Sequence, residues 1–519
     1  MNLLTDPLFR VEIANGPRRL SSLPALLTAL GADEVESLPG LQRHQEDAFH
    51  IFLCQLAASV LLREKKSNPI QEEAFWREGI RRLTGRDDDC AWTLVVKDCT
   101  KPAFMQSAIP EAISGQLKSV AQTPDEMDIL ATAKNHDVKT ARGNSATADE
   151  WIFALVNFQT TAGFFGRGNY GIARMNGGHA SRPVVELQLS PRAGKRWVRC
   201  TSRLLELHNS LLAPPWPYRQ DGSVLLWTLT WDGNSSLALS SLDPFFIEIA
   251  RLIRLTHTTT RRYMVTGMPS TCTRIDAKAQ LGVLGDPWTP VNTGKKEVTA
   301  LTVSASGFTP DLLHKIIFED GIEAALLQQA ATEEIGLPMA LYAAVLVRGQ
   351  GTTDGFHTTL IPIPTKVGFA LFARRDEKLR LQETSKQWIT DGRTMQNKVM
   401  KYALFTLLEA GPEKVNFDKT EIAAWVDKLA KDFTQAWSHD YFDWLWRCLD
   451  QENTDKARVE WLEALEKKAK HILGSAIERL PVRLGRRLRS RVAAQGRYTG
   501  ALNKQFPELK EARDARRTT

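Results

Sequence analysis

The sequence predicts an α+β protein: a large, irregular mixed α/β domain over residues 1–378, followed by a C-terminal four-helix bundle with a basic end over residues 379–519. Three observations carry this expectation. From about residue 90 to 375, short apolar runs alternate with Gly, Pro and Thr breakers, as short strands and turns require. After about residue 380 proline thins out and long amphipathic patterns take over, the profile of packed helices. The chain is 519 residues long with 43% hydrophobic and 24% charged residues, a globular mixture with material for several domains of about 100–200 residues each.

Taken in order, residues 9–13 read as a strand that turns at Asn15-Gly16, a dipeptide that tolerates positive φ. Ser22 is placed to cap a helix with Pro24 in its first turn and Gly31 as its stop. Residues 46–62 carry Phe49, Phe52, Leu53, Leu56, Val60 and Leu61 at helical spacing, which marks a core helix. The runs 92–96, 225–231 and 298–303 are predicted strands. In the bundle, helices are expected around 384–410 and 440–450. A stripe of Ile422, Trp425, Val426, Leu429, Phe433 and Trp437 marks another, and Leu462, Leu465, Ala469, Ile472, Leu473, Ala476 and Leu480 a fourth. The tryptophans here, 388, 425, 437, 444, 446 and 461, are read as packing.

Several function classes fall away. The chain has no run of about 18 apolar residues, so no membrane span is expected. The N-terminus lacks the basic and apolar segments of an export signal. The six cysteines are far apart in sequence and form no C-x-x-C pair, so a reducing cytoplasm and no bound metal are expected. Gly166-Arg167-Gly168-Asn169-Tyr170-Gly171 matches G-x-G-x-x-G, but no helix follows to hold a pyrophosphate. Asp87-Asp88-Asp89 points its acids in different directions, and His44 and His50 are six apart, off a shared helical face. No metalloprotease, hydrolase or phosphate-loop motif is present, so neither enzyme nor cofactor is expected.

Charge is unevenly spread. Residues 479–519 hold 12 Lys/Arg against 3 Asp/Glu, leaving 55 basic and 57 acidic residues elsewhere. Between 479 and 497 seven arginines occur without an acid, and Leu480, Leu484 and Leu488 recur every four residues. This predicts an amphipathic helix whose exposed face, with Arg483, Arg486, Arg487, Arg489 and Arg491, suits a nucleic-acid backbone.

Read together, the motifs resemble the large subunit of the type I-E CRISPR Cascade complex, the CasA family. The resemblance rests on Asn2-Leu3-Leu4-x-Asp6, Ser22-Leu23-Pro24-x-Leu26-Leu27, Phe104-Met105-Gln106, the glycine-dense stretch 163–178, and Gly285-Asp286-Pro287-Trp288-Thr289-Pro290 ahead of a helical C-terminus. The paired cysteines that hold zinc in some members are absent. The resemblance implies a non-catalytic cytoplasmic subunit in antiviral defence. It would read a protospacer-adjacent motif in the minor groove of target DNA and help open the duplex for R-loop formation. Its implied partners are other Cascade subunits, the CRISPR guide RNA, double-stranded target DNA and a recruited helicase-nuclease. The implied DNA-reading residues are the glycine loop (Gly163, Gly166, Arg167, Gly168, Asn169), a lysine finger (Lys278) and a wedge (Gln350), with a loop carrying Lys134, Asn135 and His136. Two rivals stand beside this reading: a structural RNA-binding scaffold, and a nuclease.

Overall fold

The computed structural model describes residues 1–128, 146–161, 168, 171–177, 181–257, 263–349, 352–409, 416–417, 420–450, 454–479 and 484–518. The architecture is α+β and divides into two compact units. One comprises Met1–Phe308 and Glu319–Ile363, the other Thr309–Phe318 and Pro364–Thr519. No helix among the described residues is long and apolar enough to cross a membrane.

The first unit opens with β1 (Phe9–Ile13), β2 (Arg19–Ser21), α1 (Leu23–Gly31) and β3 (Val35–Ser37). Phe9 faces Ser21 and Val11 faces Arg19 in an antiparallel pair whose connection contains Asn15 at φ +58°. Ser22 caps α1, its hydroxyl accepting from Ala25 N at 3.3 Å. The longer helices that follow are α2 (Glu46–Arg63), α3 (Glu73–Leu83), α4 (Ala148–Thr160) and α5 (Ala193–Leu211). The predicted core helix α2 is buried around its circumference, from Asp47 to Leu61, so it runs through the centre of the unit. Its Phe49 ring meets Phe153 of α4 at 4.8 Å and Phe9 of β1 at 5.9 Å.

Two three-stranded sheets flank this core. One orders β4 (Lys118–Ala121), β7 (Tyr263–Met268) and β6 (Leu252–His257). The other orders β9 (Thr352–Ile363), β8 (Met339–Gly349) and β5 (Val184–Gln188), with Ala344 opposite Val184 and Ala340 opposite Gln188. The predicted strand runs fare differently. Residues 92–96 form no strand, 225–231 pass into a 3-10 turn at Leu226–Thr228, and 298–303 keep only Thr299–Ala300. The tryptophans of the second run bury without a ladder because each indole N–H finds a carbonyl: Trp227 donates to Ala91 at 2.9 Å and Trp231 to Ser235 at 3.0 Å.

Several of the sequence motifs are locks between distant segments. Asn2 Nδ2 donates to Asp89, while Asn2 Oδ1 accepts from Leu4 N and Asn2 N donates to Asp6. Buried Gln106 donates to the carbonyls of Leu94 and Phe104 and accepts from Leu255 N at 2.6 Å. In the 285–290 turn, Asp286 takes Arg182 at 2.8 Å, and the Trp288 indole donates to Glu186 Oε2 at 2.9 Å.

The second unit contains α6 (Pro310–Phe318), α7 (Thr365–Phe372), α8 (Arg375–Thr394), α9 (Lys401–Leu408), α10 (Thr420–Ser438), α11 (Tyr441–Arg447), α12 (Thr454–Arg479), α13 (Arg487–Gln505) and α14 (Pro507–Thr518). A π-helical turn, Met395–Met400, joins α8 to α9, so that rod, α10, α12 and α13 are the four long helices. The unit takes the chain up at Pro364, ahead of residue 378, because α7 packs on α8. It also recruits α6, whose His314 bonds Ser385 at 2.8 Å. Its core is aromatic: Trp388 stacks on Trp461 at 5.3 Å, and Trp437 and Tyr441 meet Trp461 edge-on. Trp425 departs from the packing expectation and is 47% exposed, since the inward face of α10 is Val426, Ala430, Phe433 and Trp437. The stretch 440–450 supplies only the short α11 and a 3-10 turn. The fourth long helix is α13, whose inward face of Ser490, Ala494, Tyr498 and Leu502 is too small and polar to announce itself as an apolar stripe.

Trp288→Phe keeps the ring but removes the indole donor from a buried carboxylate. A hydrogen bond to a charged group contributes about 1.5–3 kcal/mol, so the stability of the first unit should fall by that amount, read by equilibrium unfolding in denaturant.

Candidate nucleic-acid interface

Of the residues implied to read DNA, Gly168 and Lys278 are described. Gly163, Gly166, Arg167, Asn169, Lys134, Asn135, His136 and Gln350 lie outside the described residues. Gly168 is buried at φ +79°, and a Cβ there would stand 2.4 Å from Pro269 Cβ. Its carbonyl accepts from Ser270 N at 2.9 Å. The need for glycine at this position therefore comes from the chain itself: Gly168 seats this part of the glycine stretch on Pro269 and Ser270.

Downstream, Gly282 at φ +82° lies against Met175 and Asn176, where a Cβ would meet the Met175 carbonyl carbon at 2.7 Å. The segment 269–282 is thus fastened to the glycine stretch at both of its ends. Between these two fastenings it carries Lys278, exposed to solvent on the 3-10 turn Lys278–Gln280. The geometry brings the lysine and the glycine stretch onto one pair of adjoining segments. Arg174, in the same glycine-dense stretch, is taken up inside. Its guanidinium lies 3.6 Å over the Phe246 ring, bonds the Phe246 carbonyl at 3.0 Å and pairs with Glu248.

The strands that Gln350 connects are a long antiparallel pair, from Met339 opposite Ile363 to Gly349 opposite Thr352.

On α13 and the residue before it, the basic face is turned outward. Arg486, Arg487, Arg489 and Arg491 are exposed, while Arg483 lies outside the described residues. Of the expected inward leucine stripe, Leu488 is corrected: it is 75% exposed, and Val492 is 61% exposed. On α13 the four-residue steps from 490, through Ala494, Tyr498 and Leu502, face the bundle. The aspartate run is tied up in ion pairs, Asp88 with Arg86 at 3.1 Å and Asp89 with Arg81 at 2.7 Å. Those arginines hold both carboxyls below the usual carboxylate range.

No protein-family model matches the chain, and no curated protein matches it. Solved structures do: the fold is that of a class of CRISPR-associated proteins. In particular, the chain is similar to CasA of Thermus thermophilus, with a TM-score of 0.67 over 97% of this chain and 99% of that one, at 14% identity. Cse1 of Acidimicrobium ferrooxidans is matched at a TM-score of 0.59 over 98% and 99%, at 14% identity. Cse1 of Thermobifida fusca is matched at 0.59 over 98% of each chain, at 13% identity.

Gly168→Val forces the backbone off Pro269. Loss of one net hydrogen bond, about 1 kcal/mol, should speed amide exchange at Ser270 several-fold while leaving the exchange of α2 unchanged, as measured by hydrogen–deuterium exchange.

Proposed function

We propose that this chain is the large, non-catalytic DNA-recognition subunit of an RNA-guided CRISPR surveillance complex of the Cascade kind. One observation carries the reading: near-complete, two-way correspondence with the CasA fold, combined with the order of the motifs along the chain. In this reading base pairing with the guide RNA reads sequence, and the protein reads a short motif in the duplex. The minor groove offers shape and a degenerate acceptor pattern, which one lysine and a closely approaching backbone can use. Lys278 and the glycine stretch around Gly168 supply these two, held to each other by the fastenings at Pro269 and Gly282. Gln350, at the connection of the long β8–β9 pair, is the wedge. The loop with Lys134, Asn135 and His136 contacts the complex and the motif. The outward arginines at the start of α13 follow a phosphate backbone, and a helicase-nuclease is recruited to the opened target.

The wedge and the finger separate in their effects. Gln350→Ala should slow R-loop formation on fully paired targets and matter much less on targets mismatched beside the motif, where the opening cost of a few kcal/mol is absent. Lys278→Ala should weaken both, since it acts on DNA that stays paired. Stopped-flow R-loop kinetics on the assembled complex reads the difference, and equal Gln350→Ala defects on both targets would exclude a wedge. A scaffold that only binds RNA would show no preference among duplexes differing at the motif.

Replacing Arg486, Arg487 and Arg489 by Ala should weaken binding to all sequences alike. The slope of log affinity against log salt should become shallower by about 0.9 for each duplex phosphate that an arginine no longer neutralises. Gel-shift titrations across a salt series measure it.

A further inference from the structure

Inside the first unit, four chemistry-bearing side chains converge that the sequence keeps far apart. His50 and Cys54 stand one helical turn apart on α2, Glu186 lies on β5, and Cys200 lies on α5. Cys54, Glu186 and Cys200 are fully buried, and the His50 side chain is 10% exposed. Cys54 Sγ is 3.6 Å from His50 Nε2, which is 3.9 Å from Glu186 Oε2, which is 3.4 Å from Cys200 Sγ. The donor atoms of His50, Glu186 and Cys200 all lie within 4.8 Å of one another, and Cys54 Sγ adjoins this group through His50. A tetrahedral cation with bonds of about 2.0–2.3 Å places its ligand atoms about 3.3–3.8 Å apart, and these separations approach that spacing.

We propose that His50, Glu186 and Cys200, with Cys54 as the fourth donor, form a buried structural site for a borderline-soft divalent cation of the zinc class. Two thiolates, an imidazole and a carboxylate are the donor set such a cation takes, and four protein ligands close the site. On binding, each thiol releases its proton to solvent, and the two thiolate charges cancel those of the cation. Glu186 keeps its own counter-ion, because Oε1 pairs with Arg196 at 2.5 Å while Oε2 faces the cluster. The Trp288 indole and Arg196 orient the carboxylate from the second layer, as ligating carboxylates require. His50 borders a cleft of about 830 Å³ that is also lined by Glu46, Arg196 and Tyr342.

The untagged full chain tests this by its metal content and its cobalt spectrum. Expected are about one zinc per chain retained through gel filtration, the stoichiometry of a closed site, and, after chelation, a thiolate-to-cobalt charge-transfer band on titration with Co²⁺ that Zn²⁺ abolishes. That band should persist in Cys272→Ser and be lost in Cys200→Ser, with both variants checked for native circular dichroism. Should Cys200→Ser fail to fold, the wild-type titration still decides. No retained zinc together with no cobalt band overturns the proposal. So does an intact mass lighter by the pair of hydrogens that a Cys54–Cys200 disulfide removes, or a cobalt band unchanged in folded Cys200→Ser.

Discussion

A single buried carboxylate organises the first unit. Glu186 is fully inaccessible, and burial alone would push its proton affinity up. Arg196, with His50 and Gln188, more than reverses this and holds the carboxyl at about 2. An anion in that position obliges its surroundings to converge on it. Arg196 must come from α5, and the same guanidinium reaches Asp47 of α2 at 2.8 Å, whose other oxygen takes the Tyr342 hydroxyl of β8 at 2.8 Å. Trp288 must come from the 285–290 turn. Two helices, two strands and a turn are therefore placed by one charge. The sheet β9-β8-β5 is tied to α2 by this network as well as by apolar contact.

The same logic explains what the motifs of the sequence do. The Asn2–Asp6 start, Gln106 and Trp288 are read most simply as recognition marks, yet each is spent on internal hydrogen bonds. They build the frame on which the exposed parts sit. The side chains left over for a partner are plainer: a lysine on a 3-10 turn and a row of outward arginines.

Much of the fold is legible because apolar periodicity survives wherever a helix buries large residues. The hairpin at Asn15, the cap at Ser22, α2 and the Trp-rich bundle all announce themselves through local residue chemistry of that kind. The helix α13 does not, since Ser490 and Ala494 bury little surface and the conspicuous Leu488 faces solvent. The run holding Trp227 and Trp231 misleads because an indole can bury itself by finding a carbonyl, without a neighbouring strand. The two longest described strands differ: β9 is broken up by Thr and Gly, whereas Ala340 to Val347 of β8 is an unbroken apolar run of the kind a buried strand shows. Of the candidate interface, Gly168 and Lys278 come from family resemblance, and only three-dimensional contact joins their segments. The proposed cation site has one visible trace, the four-residue step from His50 to Cys54. Its other half lies more than a hundred residues away and is brought in by the Glu186 network.

The helix Pro310–Phe318 belongs to the second unit although it is synthesised before the β8–β9 pair that completes the first. The chain therefore crosses between units at 308/309, again at 318/319 and a third time at 363/364. On a ribosome, neither unit can close in the order in which it emerges. The apolar side of that helix, with Leu313, Ile316 and Ile317, must wait for a bundle not yet made, while the first unit finishes around a segment it does not keep. No single cut can liberate the bundle intact: severing the chain at 364 would strip it of the helix that bonds Ser385.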